Sequence, residues 1–157
     1  MRCASCGGTI HINQPCEDCG IAYDEMLEAI SHPEMRRLFR RIEDLQENHK
    51  SVEVEASMMA CELLNSSLIL PAKINDDSFG FIHLPADRKN SFIVLCTDMD
   101  EFRHFEDMDL TPLTNSWDRF LELLEKNDGV AINIFDEACF IDKNFMRRFF
   151  ADKLNTD

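Results

Sequence analysis

Residues 92–105 read FIVLCTDMDEFRHF, and this stretch decides the fold. Its first five residues form a continuous apolar run of strand length. A strand buried on one face alternates apolar and polar side chains, whereas an unbroken run points to a central strand covered on both faces. Thr97 and Asp98 end the run. From Asp98 to Glu106 the spacing turns helical, with Met99, Phe102 and Phe105 on one side. Loops at the C-terminal ends of such strands are where α/β ligand sites gather, so Thr97 and Asp98 are candidate ligand residues. Asp98 is equally placed to cap the helix that follows.

Working outward, residues 130–134, which include Asn133, form a second buried-strand candidate, and residues 138–141 a third, after a turn at Asp136-Glu137. Ser116 starts a helix marked by Trp117, Phe120, Leu121 and Leu124, which stops at Asn127-Asp128-Gly129. A last helix spans about 142–154. Toward the N-terminus, residues 110–113 read as a short strand that Pro112 keeps at an edge. Residues 79–84 and 67–71 read as further strands, the former after a turn at 75–78. Ala56, Met59, Ala60, Leu63 and Leu64 suit a helix ending near Asn65. Met35, Leu38, Phe39, Ile42 and Leu45 make one apolar stripe on a helix that Pro33 can open. A shorter turn before it carries Met26, Leu27 and Ile30, with Asp24 as its cap. Interleaved strands and helices predict an α+β chain.

The chain has 157 residues, 45% of them apolar, and a formal net charge of −14. It reads as three segments: residues 1–22, residues 23–50, which are helical, and residues 51–157. Their net charges are −1, −2 and −11. So acidic a balance disfavours a nucleic-acid partner, which needs clustered Lys and Arg, and disfavours anionic membranes. No apolar run approaches the length of a membrane helix, and no leader-like stretch is visible. A cytoplasmic protein is expected. In that reducing setting its seven cysteines are metal ligands and core residues rather than a disulfide framework.

Four of the cysteines fall in two copies of one device, Cys3-Ala4-Ser5-Cys6-Gly7 and Cys16-Glu17-Asp18-Cys19-Gly20. Two intervening residues let a tight turn aim both sulfurs at one ion. The following glycine permits the positive φ that turns backbone N–H groups toward sulfur. Four thiolates in tetrahedral array select Zn²⁺, although iron in a rubredoxin-like centre uses the same set. A closed four-cysteine site leaves no position for water, so the metal is structural. His11, in the insert between the knuckles, reads as a hairpin side chain. This segment resembles the short zinc ribbons at the start of many bacterial proteins.

The remaining cysteines, Cys61, Cys96 and Cys139, sit in apolar runs and are expected in the core. The acids between Asp98 and Asp109 read as a solvated helix face with its flanking turns, because the spacing matches no calcium loop. Arg36, Arg37, Arg40 and Arg41 lie off the apolar stripe of their helix. They read either as a solvated face, with Arg37 meeting Glu34 and Arg40 meeting Asp44, or as a small basic patch for an acidic partner.

Four blocks then resemble a known family: SLILPA at 67–72, FIVLCTDMDEFRHF at 92–105, the helix at 117–124 and GVAIN at 129–133. Their order is similar to the SseB N-terminal domain family, named for enhanced serine sensitivity and for type III secretion association. The likeness spans residues 56–150. Cys96 stands where an aromatic is usual, and Ile134 where Pro usually follows the Asn. The resemblance implies an α+β domain without catalytic residues. The sequence thus predicts a non-enzymatic binding or scaffolding protein with one structural Zn²⁺ and another protein as partner. Two further readings are an amino-acid-responsive ligand domain, with its site near Thr97, Asp98 and Asn133, and a nucleic-acid module using the ribbon and the arginine helix.

Overall fold

A computed structural model describes residues 1–76, 78–85, 91–124, 128–136 and 138–154. Asp77, Asn127 and Glu137, which the sequence reading places in turns, lie outside these. The chain is α+β. Its helices are α1 (Tyr23–Ala29), α2 (Pro33–Glu47), α3 (Glu53–Leu64), α4 (Met99–Phe102), α5 (Trp117–Leu124) and α6 (Lys143–Leu154). Its strands are β1 (Ser67–Asn75), β2 (Ser78–Phe81), β3 (His83–Pro85), β4 (Ser91–Leu95), β5 (Thr111–Ser116), β6 (Gly129–Ile132) and β7 (Cys139–Asp142). They form two sheets, ordered β2-β1-β5 and β3-β4-β6-β7. Among the described residues, only the β4–β6 pair is parallel, with α4, β5 and α5 in the crossover between them. Ile69 and Cys96 exchange backbone hydrogen bonds of 2.9 and 2.8 Å, which stitches β1 to the end of β4 and so joins the sheets.

The unbroken apolar runs are explained by two cores that share these strands. In β1, Leu68 and Leu70 face a large core with Met35, Phe39, Met59, Leu63, Trp117 and Phe120, while Ile69 faces the opposite way. That opposite side is a second core, holding Ile69 together with Val94 and Cys96 from the β4 run. Phe105 joins them, and the other members come from residues 1–30: Cys3, Ile10, Cys16, Tyr23, Met26, Leu27 and Ile30. The cysteine segment and α1 are therefore the second cover of the strands. The α2 stripe lies in the large core beside α3, so α2 packs as a layer of the body.

Several expectations change in detail. Residues 79–84 do not make one strand. The chain breaks at Ile82, whose carbonyl accepts the Val94 N–H at 3.2 Å, and β2 and β3 fall in different sheets. The helix after Asp98 tightens into a 3-10 turn at Arg103–Phe105. The strand containing Pro112 runs over Thr111–Ser116 and is an edge strand, as its proline requires. Ala22, not Asp24, is the N-cap of α1; Asp24 sits in its first turn, where a negative charge suits the helix dipole. Cys61 is exposed, because the inner face of α3 is set by Ala56, Met59, Ala60 and Leu63, which puts residue 61 on the opposite side. Cys96 is buried and Cys139 half-buried, and burial pushes the Cys139 thiol up to about 12.

Gly129 opens β6 against two neighbours. A Cβ there would sit 2.1 Å from the Ile141 carbonyl oxygen and 2.7 Å from the Phe92 ring. Gly129→Ala is expected to destabilise the protein by about 2 kcal/mol, as overpacking against backbone does. Urea melts check this, and a midpoint equal to wild type would refute the contact.

Candidate metal centre and strand-end cluster

The four knuckle sulfurs, those of Cys3, Cys6, Cys16 and Cys19, all lie within 4.8 Å of one another. Cys3 Sγ and Cys19 Sγ are 4.0 Å apart, and Cys6 Sγ and Cys16 Sγ 3.6 Å. Metal–sulfur bonds of about 2.3 Å in a tetrahedron put the sulfurs about 3.8 Å apart, so this quartet is placed to hold one metal ion. The local chain explains why. Gly7 and Gly20 take φ of 78° and 75°, the left-handed region that the CxxCG pattern anticipates. The Gly7 and Gly20 N–H groups bond back to the Cys3 and Cys16 carbonyls at 2.9 and 3.0 Å, closing each knuckle. The Gly8 N–H reaches Cys6 Sγ at 3.4 Å.

Backbone N–H groups also set the thiol acidities. Those of Cys19 and Asp18 draw the Cys16 thiol down to about 7, against the opposing effect of burial. At Cys6 the Gly8 N–H works the same way. The sulfurs of Cys19 and Cys16 outweigh it, and that thiol is pushed up to about 12. A cation at the centre would displace the remaining protons, as thiolate ligation requires.

The acids of the second knuckle tie it to the insert that joins the two. Asp18 Oδ2 accepts the Thr9 N–H at 2.9 Å, and Glu17 Oε1 lies 3.1 Å from His11 Nε2. His11 is thereby turned to Glu17 rather than to the sulfurs, as a hairpin side chain. The underside of the ribbon is apolar, with Ile10 fully buried. Tyr23 donates its hydroxyl to the Pro112 carbonyl of β5, and burial, with the nearby Asp24 charge, pushes its phenol up to about 12.

At the C-terminal end of β4 the structure brings Thr97, Asp98 and Asn133 together and adds Arg36 from α2. Asn133 takes φ of 58° and its side chain spans the two strand ends. Its Oδ1 accepts the Thr97 N–H at 2.9 Å and its Nδ2 donates to Thr97 Oγ1 at 2.9 Å. Asp98 caps α4 by accepting the Glu101 N–H on Oδ1 at 3.0 Å. Its Oδ2 accepts from Arg36 Nε and Nη2 at 3.0 and 2.8 Å and from Thr97 Oγ1 at 3.0 Å. Arg36 Nη1 continues to Asp136 Oδ2 at 2.7 Å. Each of these side chains is engaged by another member of the cluster.

The other arginines are placed differently. Arg37 meets Glu34 at 3.0 Å, as its spacing anticipates, and Arg41 lies 3.6 Å from Glu55. Arg36, Arg37 and Arg41 are thus each matched to an acid. Arg36 and Asp98 stand 62 residues apart in sequence, and no local pattern connects them.

Glu101 was not singled out by the sequence, yet it is 2% exposed and its Oε1 accepts the Phe135 N–H at 2.9 Å. Burial raises its carboxyl above 4.5. Asp98 is shifted the other way: burial would raise it, but the Glu101 N–H, Arg36 and Thr97 together hold it below 3.8. The two act oppositely on stability. The Asp98 contribution is present above its unfolded value and lost as pH falls through the lowered one. The Glu101 contribution is full below its unfolded value and lost as pH rises through the raised one. Glu101→Gln keeps an acceptor for Phe135 without the buried charge. It is expected to match or exceed wild-type stability at pH 7 and to lose the decline that the wild type shows as pH rises through the raised Glu101 value. A pH series of denaturant melts in which the variant is weaker at pH 7 would refute this.

The fold and this cysteine quartet define an α+β protein with a candidate four-cysteine metal centre. Comparison with family models, with characterised proteins and with solved structures finds no match. Among the described residues, no helix is long and apolar enough to cross a membrane.

Proposed function

We propose that this chain is a non-enzymatic binding or scaffolding protein, built as an SseB-like α+β domain whose ribbon holds one structural Zn²⁺. The observation that carries the reading is the closed quartet of sulfurs. Four ligands complete a tetrahedron, the nearby His11 is engaged by Glu17, and the ribbon underside forms one of the two cores. A metal so enclosed supplies folding free energy rather than a reactive position. Zn²⁺ is preferred over iron because four thiolates in a tetrahedron suit it fully and this reading asks no electron transfer of the site.

The partner in this reading is another protein, met in the cytoplasm. The acidic surface argues against nucleic acid, and so does the use of Glu17 and Asp18 inside the ribbon. The amino-acid-responsive alternative is weakened by the strand-end cluster, where Thr97, Asp98 and Asn133 satisfy one another. Metal analysis tests the proposal, with about one Zn²⁺ per chain expected. Protein purified without added metal that holds neither zinc nor iron would overturn it, as would substrate turnover that Asp98→Ala abolishes.

A further inference from the structure

Helix α3 is apolar on both of its faces. Ala56, Met59, Ala60 and Leu63 form the buried one. On the opposite face Val54, Met58, Cys61 and Asn65 stand four, three and four residues apart, which sets them in one line along the helix. Val54 is 67% exposed and Met58 52%, and Cys61 is exposed as well. The outer face of a surface helix ordinarily carries charged and polar residues, and a helix apolar all round is ordinarily covered all round. The outer face of α3 is thus an apolar line left uncovered, in a chain of net charge −14.

The charges beside that line say what covers it. On one flank Glu55 meets Arg41 of α2 at 3.6 Å, with Glu62 on the same side. On the other flank Glu53 meets Arg148 of α6. Each flank therefore holds both signs, and neither offers a single-sign field to a strongly basic or acidic partner. Two copies of one helix packed face to face and antiparallel bring each flank against its own counterpart. Flanks of one sign would then repel, whereas flanks of mixed sign are self-complementary, as a two-fold interface requires. The apolar line fits the same symmetry. About a two-fold axis between residues 59 and 60, Met58 lies opposite Cys61 of the second copy, and Val54 opposite its Asn65.

We propose that the outer face of α3 pairs with the same face of a second copy of this chain, antiparallel about that two-fold axis. Three turns of helix a side make a small interface, so the dimer is a weak one, with a Kd on the order of 10–100 μM. The pairing uses neither the sulfurs nor the strand-end cluster, and it goes beyond the proposed scaffolding role.

Sedimentation equilibrium of the zinc-loaded full chain tests this, over about a hundredfold range of concentration that spans the expected Kd. The chain should pass from monomer to dimer across that range. Met58→Lys sets two like charges near the axis and should weaken association at least about tenfold, and Val54→Lys should weaken it as well. Both residues face solvent in the monomer, and blue emission from the buried Trp117, with unchanged zinc content, checks that each variant is folded. Phe140→Ser, which removes an exposed ring from β7, should leave the dimer intact. Met58→Cys places a thiol opposite Cys61 of the second copy, so glutathione disulfide should link two chains of that variant. A chain that stays monomeric overturns the proposal. So does a dimer that withstands Met58→Lys and Val54→Lys, a dimer lost in Phe140→Ser, or a Met58→Cys variant that does not link. A monomer that retains its zinc leaves the scaffolding proposal standing.

Discussion

Cys16→Ser is expected to release the metal and unfold residues 1–30 while leaving the large core folded. The quartet loses one of four ligands, and structural Zn²⁺ supplies on the order of 10 kcal/mol to the small segments it folds. The ribbon has little else to hold it. Its own apolar residues are few, and their partners, Ile69, Val94 and Cys96, belong to the body. Two residues report the outcome separately, since the chain has one Tyr and one Trp. Tyr23 lies under the ribbon, where burial pushes its phenol up to about 12. In the variant its phenol should ionise near the unperturbed value of about 10, read from phenolate absorbance. Trp117 lies in the other core, fully buried, and its emission should stay blue. Strong chelation of the wild-type protein should give the same pair of readings. A variant whose tyrosine still titrates at about 12 would show that the ribbon does not depend on its metal.

Asp98→Ala is expected to cost about 3 kcal/mol, the low end for breaking a buried ion pair. One carboxylate accepts from Arg36, Thr97 and the Glu101 N–H, so its loss removes a helix cap together with the charge partner. Arg36 and Asp98 side chains are 21% and 18% exposed, and Arg36 keeps Asp136, which moderates the loss. The coupling is the sharper test. Arg36→Met alone strands the carboxylate, whereas Arg36→Met with Asp98→Ala strands neither charge, so the double variant should be more stable than the two single losses summed. Urea melts of the four proteins decide it. Strict additivity, or a single loss below about 1 kcal/mol, would mean the pair is a surface contact in effect.

Much of this architecture was legible because its signals are local. The paired CxxCG knuckles, the glycine φ values and the strand–Asp98–helix junction each depend on a handful of neighbouring residues. The doubly covered reading of residues 92–96 also follows from local pattern, but the identity of the second cover does not. Ile69 and Val94 need an apolar layer, and nothing in their neighbourhood says that residues 1–30 provide it. The strand-end cluster divides the same way. Thr97, Asp98 and Asn133 stand out at strand ends, whereas Arg36 resembles its three neighbours in the helix and gains its role from a carboxylate 62 residues away. The break at Ile82 was hidden because one backbone hydrogen bond to Val94, not a turn residue, divides β2 from β3. Glu101 carried no signal at all; a glutamate in an acidic stretch reads as solvated until its burial is seen.

The shared use of β1 and β4 by two cores also orders events during synthesis. The sulfur quartet spans only Cys3 to Cys19, so a metal can close it while the rest of the chain is still being made. The apolar underside of that closed ribbon must then wait for Val94 and Cys96, some 75 residues later, which at about 5–20 residues per second is a delay of about 4–15 s. Through that interval Ile10, Tyr23 and Met26 are without the surface that buries them in the finished molecule. The ribbon can thus close on a metal well before its seat is made, while the large core waits longer still, for residues as late as Phe150. Between its closure and the making of that seat, the underside of the ribbon is open to misassociation.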